Sequence, residues 1–263
     1  MEREHLWEHN TYITPLNYIS GRIVEYDIRS ANITMLKKYG VIDENYYNYL
    51  ANLPKYNREV EIGLLIKNNS EIYDTIKKGI IEAKKLLFEY NNIEDSEVVR
   101  IANDAVYINR SVDLQFTNFD GVEFVKKSIS SIMLNLHGTL LFIFFDLRGN
   151  INIEIKGISK DISSLHQKYL LSFISNTIFM MERYSVQDAM KYYSDFYEKY
   201  IKLELDIEYY REFNSGGRFK IKNNNFYLSN IEEKDINLID INYNLFILRE
   251  LWGILLSKYN GGK

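Results

Sequence analysis

Cysteine is absent from all 263 residues, which excludes disulfides and thiolate-held zinc or iron–sulfur centres. The chain is therefore held by burial, and a hydrophobic fraction of 46% is enough for one large core or two small ones. Long apolar runs are missing as well. None reaches the roughly 18–20 residues that a membrane span requires, and the longest, Met133 to Phe145, is interrupted by Asn135, His137 and Gly138. Met1-Glu2-Arg3-Glu4-His5 lacks the basic-then-apolar order of a signal peptide, so a cytoplasmic protein without membrane attachment is expected. Basic charge is in short supply. The chain has 32 Lys and Arg against 36 Asp and Glu, a net −4, whereas a protein that grips duplex nucleic acid unaided carries a positive surplus. Only two prolines occur, beside 22 tyrosines and abundant Ile, Asn and Lys, a usage that reflects an AT-rich genome. No Walker loop, Gly-x-Ser-x-Gly elbow or Gly-x-Gly-x-x-Gly turn is present, which leaves nucleotide binding through a glycine-rich loop without support.

What is present is a clear order of elements. Gly21 to Tyr26 is rich in β-branched residues and reads as a strand. The pattern turns helical over Ala31 to Tyr39, again over 43–67, and in a long helix from Glu71 to Tyr90. Ser70 is the expected cap of that helix. Ile72, Ile76, Ile80, Ala83 and Leu87 recur at helical spacing, so one of its faces packs against a sheet. Strands follow over 98–109 and 112–118, with Asn103-Asp104 as a hairpin tip. Further strands are expected over 131–134, 139–145 and 151–155, the last two joined by a turn at Asp146 to Asn150. Helical patterns span Ser163 to Tyr184 and Ser185 to Phe213, the second opened by the capping-box variant Ser185-Val186-Gln187-Asp188. Gly216-Gly217 breaks it, a short hairpin covers Phe219 to Leu228, and an amphipathic helix runs from Asp240 to Tyr259. The expected class is α+β, with an antiparallel sheet and packed helices in residues 1–160 and a mainly helical second domain in 161–263.

Two aspartates carry the chemistry. Asp27 stands where Tyr26-Asp27-Ile28-Arg29-Ser30-Ala31 passes from strand to helix, and Asp104 lies 77 residues later at the hairpin tip. Carboxylates on adjacent strand ends suit a hard divalent cation, and two such cations clamp the attacking and leaving oxygens of an in-line phosphoryl displacement. Aspartate is also a common turn and N-cap residue, so the pair gains meaning only from its company. Lys37-Lys38, Lys77-Lys78, Lys84-Lys85 and Lys126-Lys127 fit either a local basic face or solvated helix surfaces. His5-Leu6-Trp7-Glu8-His9 matches a His-x-x-Glu-His zinc pattern, at a chain end where fraying is the default. His137 and His166 have no carboxylate partner at ligand spacing. Tyr192, Tyr193, Phe196, Tyr197, Tyr200, Tyr209 and Tyr210 are spaced for core packing or for stacking on single strands. Glu198, Glu204, Asp206 and Glu208 oppose a phosphate backbone there, which favours core packing or a partner-protein surface.

Asp27-Ile28-Arg29-Ser30-Ala31-Asn32-Ile33-Thr34 resembles motif A of the family B DNA polymerases, Asp-x-x-Ser-Leu-Tyr-Pro-Ser, and Met35 to Gly40 continues in the same character. Ile101 to Ile108 resembles motif C in its looser viral form, where only the last aspartate of Asp-Thr-Asp-Ser is kept. Gly149 to Ile158 resembles the Lys-Gly segment at which palm passes into thumb. The three stand in the family's order and cover palm and thumb only, residues 20–215. The resemblance implies a polymerase-like palm and a thumb-like helical domain of phage or viral origin. It implies that Asp27 and Asp104 are catalytic and hold Mg2+ or Mn2+, and that Lys156 meets primer phosphate as a point charge. The backbone amide of Ile28 would touch the triphosphate. Arg58, Lys55 and Lys67 are the cations between the two motifs that would meet it as well.

The chain also departs from that family. Asn32 stands where a tyrosine excludes the ribose 2′-hydroxyl, so sugar selection is open, and Ala102 replaces the first acid of Asp-Thr-Asp. The fingers motif Lys-x-x-x-Asn-Ser-x-Tyr-Gly is missing between Asp27 and Asp104, and no room remains for a 3′–5′ exonuclease. The expectation is two-metal nucleotidyl transfer on primed DNA, by an enzyme or by the palm and thumb subunit of a split polymerase whose protein partner supplies fingers and exonuclease. The alternative is a catalytically inactive polymerase-fold protein that binds protein or nucleic acid.

Overall fold

Strand β2 (Tyr18–Ile28) buries Val24, Tyr26 and Ile28. Because side chains alternate along a strand, Glu25 and Asp27 lie on its opposite face. The computed structural model describes residues 5–136, 138–145, 151–156, 169–206, 209, 220–221, 224–225 and 238–261. Contacts divide the chain into two compact units, Met1–Pro15 with Gly21–Ser130 and Leu16–Ser20 with Ser131–Lys263.

The first unit orders its strands β1 (Thr11–Ile13), β3 (Val98–Ala102), β4 (Ala105–Asn109), β2 and β6 (Val122–Leu136), with β5 (Asn118–Phe119) on β6. The β1–β3, β3–β4, β4–β2 and β5–β6 pairs are antiparallel. Four helices intervene between β2 and β3: α1 (Ala31–Lys38), α2 (Glu44–Asn52), α3 (Lys55–Asn68) and α4 (Glu71–Asn91). The expected apolar stripe of α4, Ile72, Ile76, Ile80, Ala83 and Leu87, is buried in one core with Val24, Tyr26, Ile28, Ile101, Val106 and Ile108. The end of α4 is tied to the sheet by Arg110, whose guanidinium holds Glu97 through two contacts of 2.7 Å and donates to the carbonyls of Asn91 and Asn92.

Local departures from the sequence expectation have local causes. The helical stretch 43–67 is broken at Leu53-Pro54, because the residue before a proline is pushed to extended backbone (Leu53 φ −73, ψ 148). Ser70 does not cap α4. Asn69 does, its Oδ1 accepting from the Glu71 amide at 3.0 Å. The strand expected over 112–118 does not form beyond the short β5, since its amides are taken by side chains. Asn91 Oδ1 accepts from Gln115 and Phe116, both at 3.0 Å, and the Tyr26 hydroxyl accepts from Leu114. Asp120 and Gly121 both adopt positive φ (48 and 80), giving the two-residue hairpin that turns β5 into β6.

The second unit contains the antiparallel run of β6, β7 (Thr139–Phe145) and β8 (Ile151–Lys156). Helices α5 (Leu170–Arg183), α6 (Val186–Ile201) and α7 (Leu238–Gly261) and the minimal hairpin β9 (Lys220–Ile221) and β10 (Asn224–Asn225) belong to it as well. Ser185 caps α6 as expected, accepting from the Asp188 amide at 3.0 Å. The helix stops at Ile201 rather than Phe213, where Leu203 enters the left-handed region at φ 58. Tyr193 and Tyr200 are buried in the core with Phe173, Leu248 and Leu251, so these members of the aromatic stripe are packing residues. The expectations at Asp146 to Asn150, His137, His166 and Gly216-Gly217 lie outside the described residues. Among the described residues no helix is long and apolar enough to cross a membrane. The α+β class and the antiparallel sheet hold.

Gly79 marks the close approach of α4 to α1. A Cβ there would lie 2.7 Å from both Met35 Sδ and Tyr39 Cε2, and Met35 is fully buried. Gly79→Ala is expected to lower unfolding stability by about 1–2 kcal/mol in spite of alanine's better helix propensity, as measured by urea denaturation.

Candidate functional site

The antiparallel register sets Tyr26 opposite Val106 and Asp27 opposite Ala105. The amide of Ile28 continues the ladder, donating to the Asp104 carbonyl at 3.2 Å. Asn103 and Asp104 form the two-residue tip between β3 and β4, with Asn103 in the left-handed region at φ 55, a conformation that Asn tolerates well. Its amide donates to the Asn10 carbonyl at 2.7 Å, which holds the tip from the N-terminal side.

Asp27 and Asp104 thereby come within hydrogen-bonding reach of each other. Burial and then the neighbouring Asp104 charge push the Asp27 carboxyl up to about 6, with Lys127 pulling the other way and Glu25 adding to the rise. Lys127 Nζ lies 3.6 Å from Asp27 Oδ2. Glu25 is held in place by the Tyr107 hydroxyl at 2.6 Å and the Ser128 hydroxyl at 2.7 Å.

The two aspartates line a cleft of about 510 Å³. Asn32, from the first turn of α1, is exposed in its lining, and α3 contributes Lys55 and Arg58. Tyr73 and Lys77, one turn apart on α4, line it too. Lys55 pairs with Glu59 at 3.7 Å, while among the described residues Arg58 and Lys77 have no ion-pair partner. Cations without an ion-pair partner among the described residues, in a cleft also lined by Asp27, Glu59 and Asp104, are suited to a ligand bearing several negative charges.

Of the residues chosen from sequence, Asp27, Asp104, Ile28, Asn32 and Arg58 share this cleft, as does Lys55. The Ile28 amide is used within the sheet. Lys67 is exposed in the last turn of α3 and does not line the cleft. Lys156 belongs to the second unit, where it pairs with Glu154 at 2.6 Å, and the Gly149-Asn150 and Gly157-Ile158 parts of its segment lie outside the described residues. The sequence marks Lys77 and Lys127 only as members of lysine pairs and does not mark Tyr73, because the turn of α4 and the course of β6 decide which residues line the cleft. The His5 and His9 zinc pattern does not form a helical face. Leu6–Glu8 is a single 3-10 turn flanked by extended backbone at both histidines.

The donor set suits a hard dication. Among the described residues no group of three His, Cys, Asp or Glu could hold a metal by itself, but magnesium is commonly bound by one or two carboxylates together with substrate phosphates. Burial first, and then the Asp104 charge, raise the proton affinity of Asp27, and a cation between the two carboxyls would offset both.

Lys84, fully buried on α4, donates to the His9 carbonyl. Burial lowers its ammonium to about 8 while Asp104 acts in the opposite sense. A lowered lysine binds its proton less well in the fold than in the unfolded chain. Its contribution to stability is therefore complete above 10.5 and lost as pH falls through about 8. Lys84→Met is expected to lose that rise, so that its advantage over the parent shrinks between about 8 and 10.5 in denaturant titrations. Asp27 has the converse sign, its contribution being complete below 3.8 and lost as pH rises through about 6. Asp27→Asn is expected to be about 2 kcal/mol more stable than the parent at neutral pH, and equal to it once pH falls below the ordinary carboxylate range. An Asp27→Asn protein no more stable at neutral pH would mean that burial and the neighbouring Asp104 do not raise the Asp27 carboxyl in solution.

No curated protein matches the chain in sequence. Residues 1–257 match the family described as Bacteriophage PBS1 gene 130 protein, and the chain belongs to that family of phage proteins.

Proposed function

We propose that the protein is a metal-dependent nucleotidyl transferase of the polymerase kind, with a palm-like domain over residues 1–160, a thumb-like domain over 161–263 and Asp27 and Asp104 as its catalytic carboxylates. The observation that carries this reading is the convergence of the two aspartates in a cleft that Arg58 and Lys77 also line. Mg2+ or Mn2+ held by Asp27 and Asp104 would supply charge neutralisation at the phosphoryl group and a more acidic attacking hydroxyl. Arg58 and Lys77 bind and orient the phosphates, Arg58 through its planar fork and Lys77 as a point charge. Asn32 lines the same space with an amide able to donate and accept. Lys156 is assigned to primer phosphate on the motif resemblance alone, as are primed DNA as the template and a partner protein that supplies fingers and exonuclease.

A second reading, a polymerase-like scaffold without chemistry that binds protein or nucleic acid, is favoured by Ala102 in place of an acid and by the commitment of the Ile28 amide to the sheet. Primer extension separates the two. With Mg2+ or Mn2+ and a short primed template, the parent is expected to extend, and Asp27→Asn and Asp104→Asn are each expected to lose more than about 100-fold in rate, since a metal contributes several kcal/mol to the transition state. Extension that survives both substitutions overturns the assignment of the site. Absence of extension under every condition, dNTPs and NTPs alike, leaves either a subunit that needs its partner or the scaffold.

A further inference from the structure

Lys84 is the buried charge for which neither substrate binding nor core packing accounts. A lysine is almost never fully buried unless it is paired, yet the side chain of Lys84 is enclosed in the first unit and donates to a neutral acceptor, the His9 carbonyl. An apolar residue of similar volume would fill the same space without the desolvation cost. The charge is next to the site. His9 adjoins Asn10, whose carbonyl holds the Asn103 amide at 2.7 Å, and Asp104 is the charged group that acts on the Lys84 ammonium. Lys84 is thus tied to the Asp104 tip through the His9–Asn10 segment, while Asp27 has Lys127 at 3.6 Å.

We propose that Lys84 is a positioning residue that acts as a fixed counter-charge to Asp104, keeping the carboxylate pair together without a metal and weakening its hold on a free dication. The inference rests on the reading of Asp27 and Asp104 as metal ligands. Two carboxylates in hydrogen-bonding reach repel one another when both are ionised, and a buried ammonium offsets that repulsion without occupying the cleft. The same charge repels an incoming dication. Metal is therefore taken up chiefly with a ligand that brings its own negative charges, such as the phosphates that Arg58 and Lys77 are placed to receive. A lysine that served only to fix the His9–Asn10 segment would have the opposite effect, because its removal would loosen the Asp104 tip and weaken the metal site.

The sign of the change in metal affinity decides between these roles. Mn2+ binding to the full chain at neutral pH, followed by the loss of the free-ion paramagnetic resonance signal, is expected to tighten on the order of tenfold in Lys84→Met, the scale of one unit charge acting on a dication across a partly solvated wall. Lys84→Gln, which retains a donor for the His9 carbonyl, is expected to tighten as well and serves if the methionine variant does not fold. Lys84→Arg, which keeps the charge, is expected to stay near the parent. Unchanged or weaker Mn2+ binding in the two uncharged variants overturns the proposal and leaves the metal site intact. Absence of Mn2+ binding by the parent and by every variant at millimolar metal overturns both the proposal and the metal-dependent reading beneath it.

Discussion

The register of β2 against β4 is the constraint on which the rest of the site depends. Tyr26 faces Val106 on the core side, and this places Asp27 beside Ala105 and its carboxyl beside Asp104. A slip of one residue would send Asp27 into an apolar core and turn Tyr26 outward, because side chains alternate with a period of two. The apolar alternation of Val24, Tyr26 and Ile28 thus stabilises the fold and aims the Asp27 carboxyl by the same hydrogen-bonded ladder. The cost is a pair of like charges held together, and the cations Lys127 and Lys84 offset it, one at the surface and one within.

The helices inserted between β2 and β3 serve two purposes at once. One face of α4 closes the core with its isoleucines, while Tyr73 and Lys77 reach the cleft from the neighbouring positions. A helix that turns 3.6 residues per turn can bury Ile76 and Ile80 and still present Lys77 to a ligand. This reconciles a chain of net charge −4 with the anionic ligand proposed for the cleft. What a ligand meets is the local field of a cleft, and here Lys55, Arg58, Lys77 and Lys127 stand against Asp27, Glu59 and Asp104. Surface charge elsewhere, including i,i+4 pairs such as Lys78–Glu82 and Lys85–Glu89, is screened at that distance.

Where sequence reading succeeded, the signal was local and periodic. The stripe of α4, the strand–helix passage at Asp27, the tip at Asn103-Asp104 and the Ser185 cap all follow from spacing within a few residues, and the structure places them as expected. Where it missed, the deciding partner was remote or the local signal was passed over. Asp120-Gly121 is a hairpin signature that was readable and would have located β6. By contrast, the failure of 112–118 to form a strand depends on Asn91 and Tyr26, which lie far away in sequence.

By itself the sequence determined that the chain folds without disulfides, that it mixes strands with amphipathic helices, and that two aspartates stand at strand ends, because composition, periodicity and turn chemistry are local properties. Only the tertiary structure decided that those aspartates converge, that Lys77 and Lys127 rather than Lys67 line their cleft, and that Lys84 is buried near Asp104. Such pairings are made by strand register and by the rotation of a helix about its axis. Neither leaves a trace in the spacing of the residues themselves.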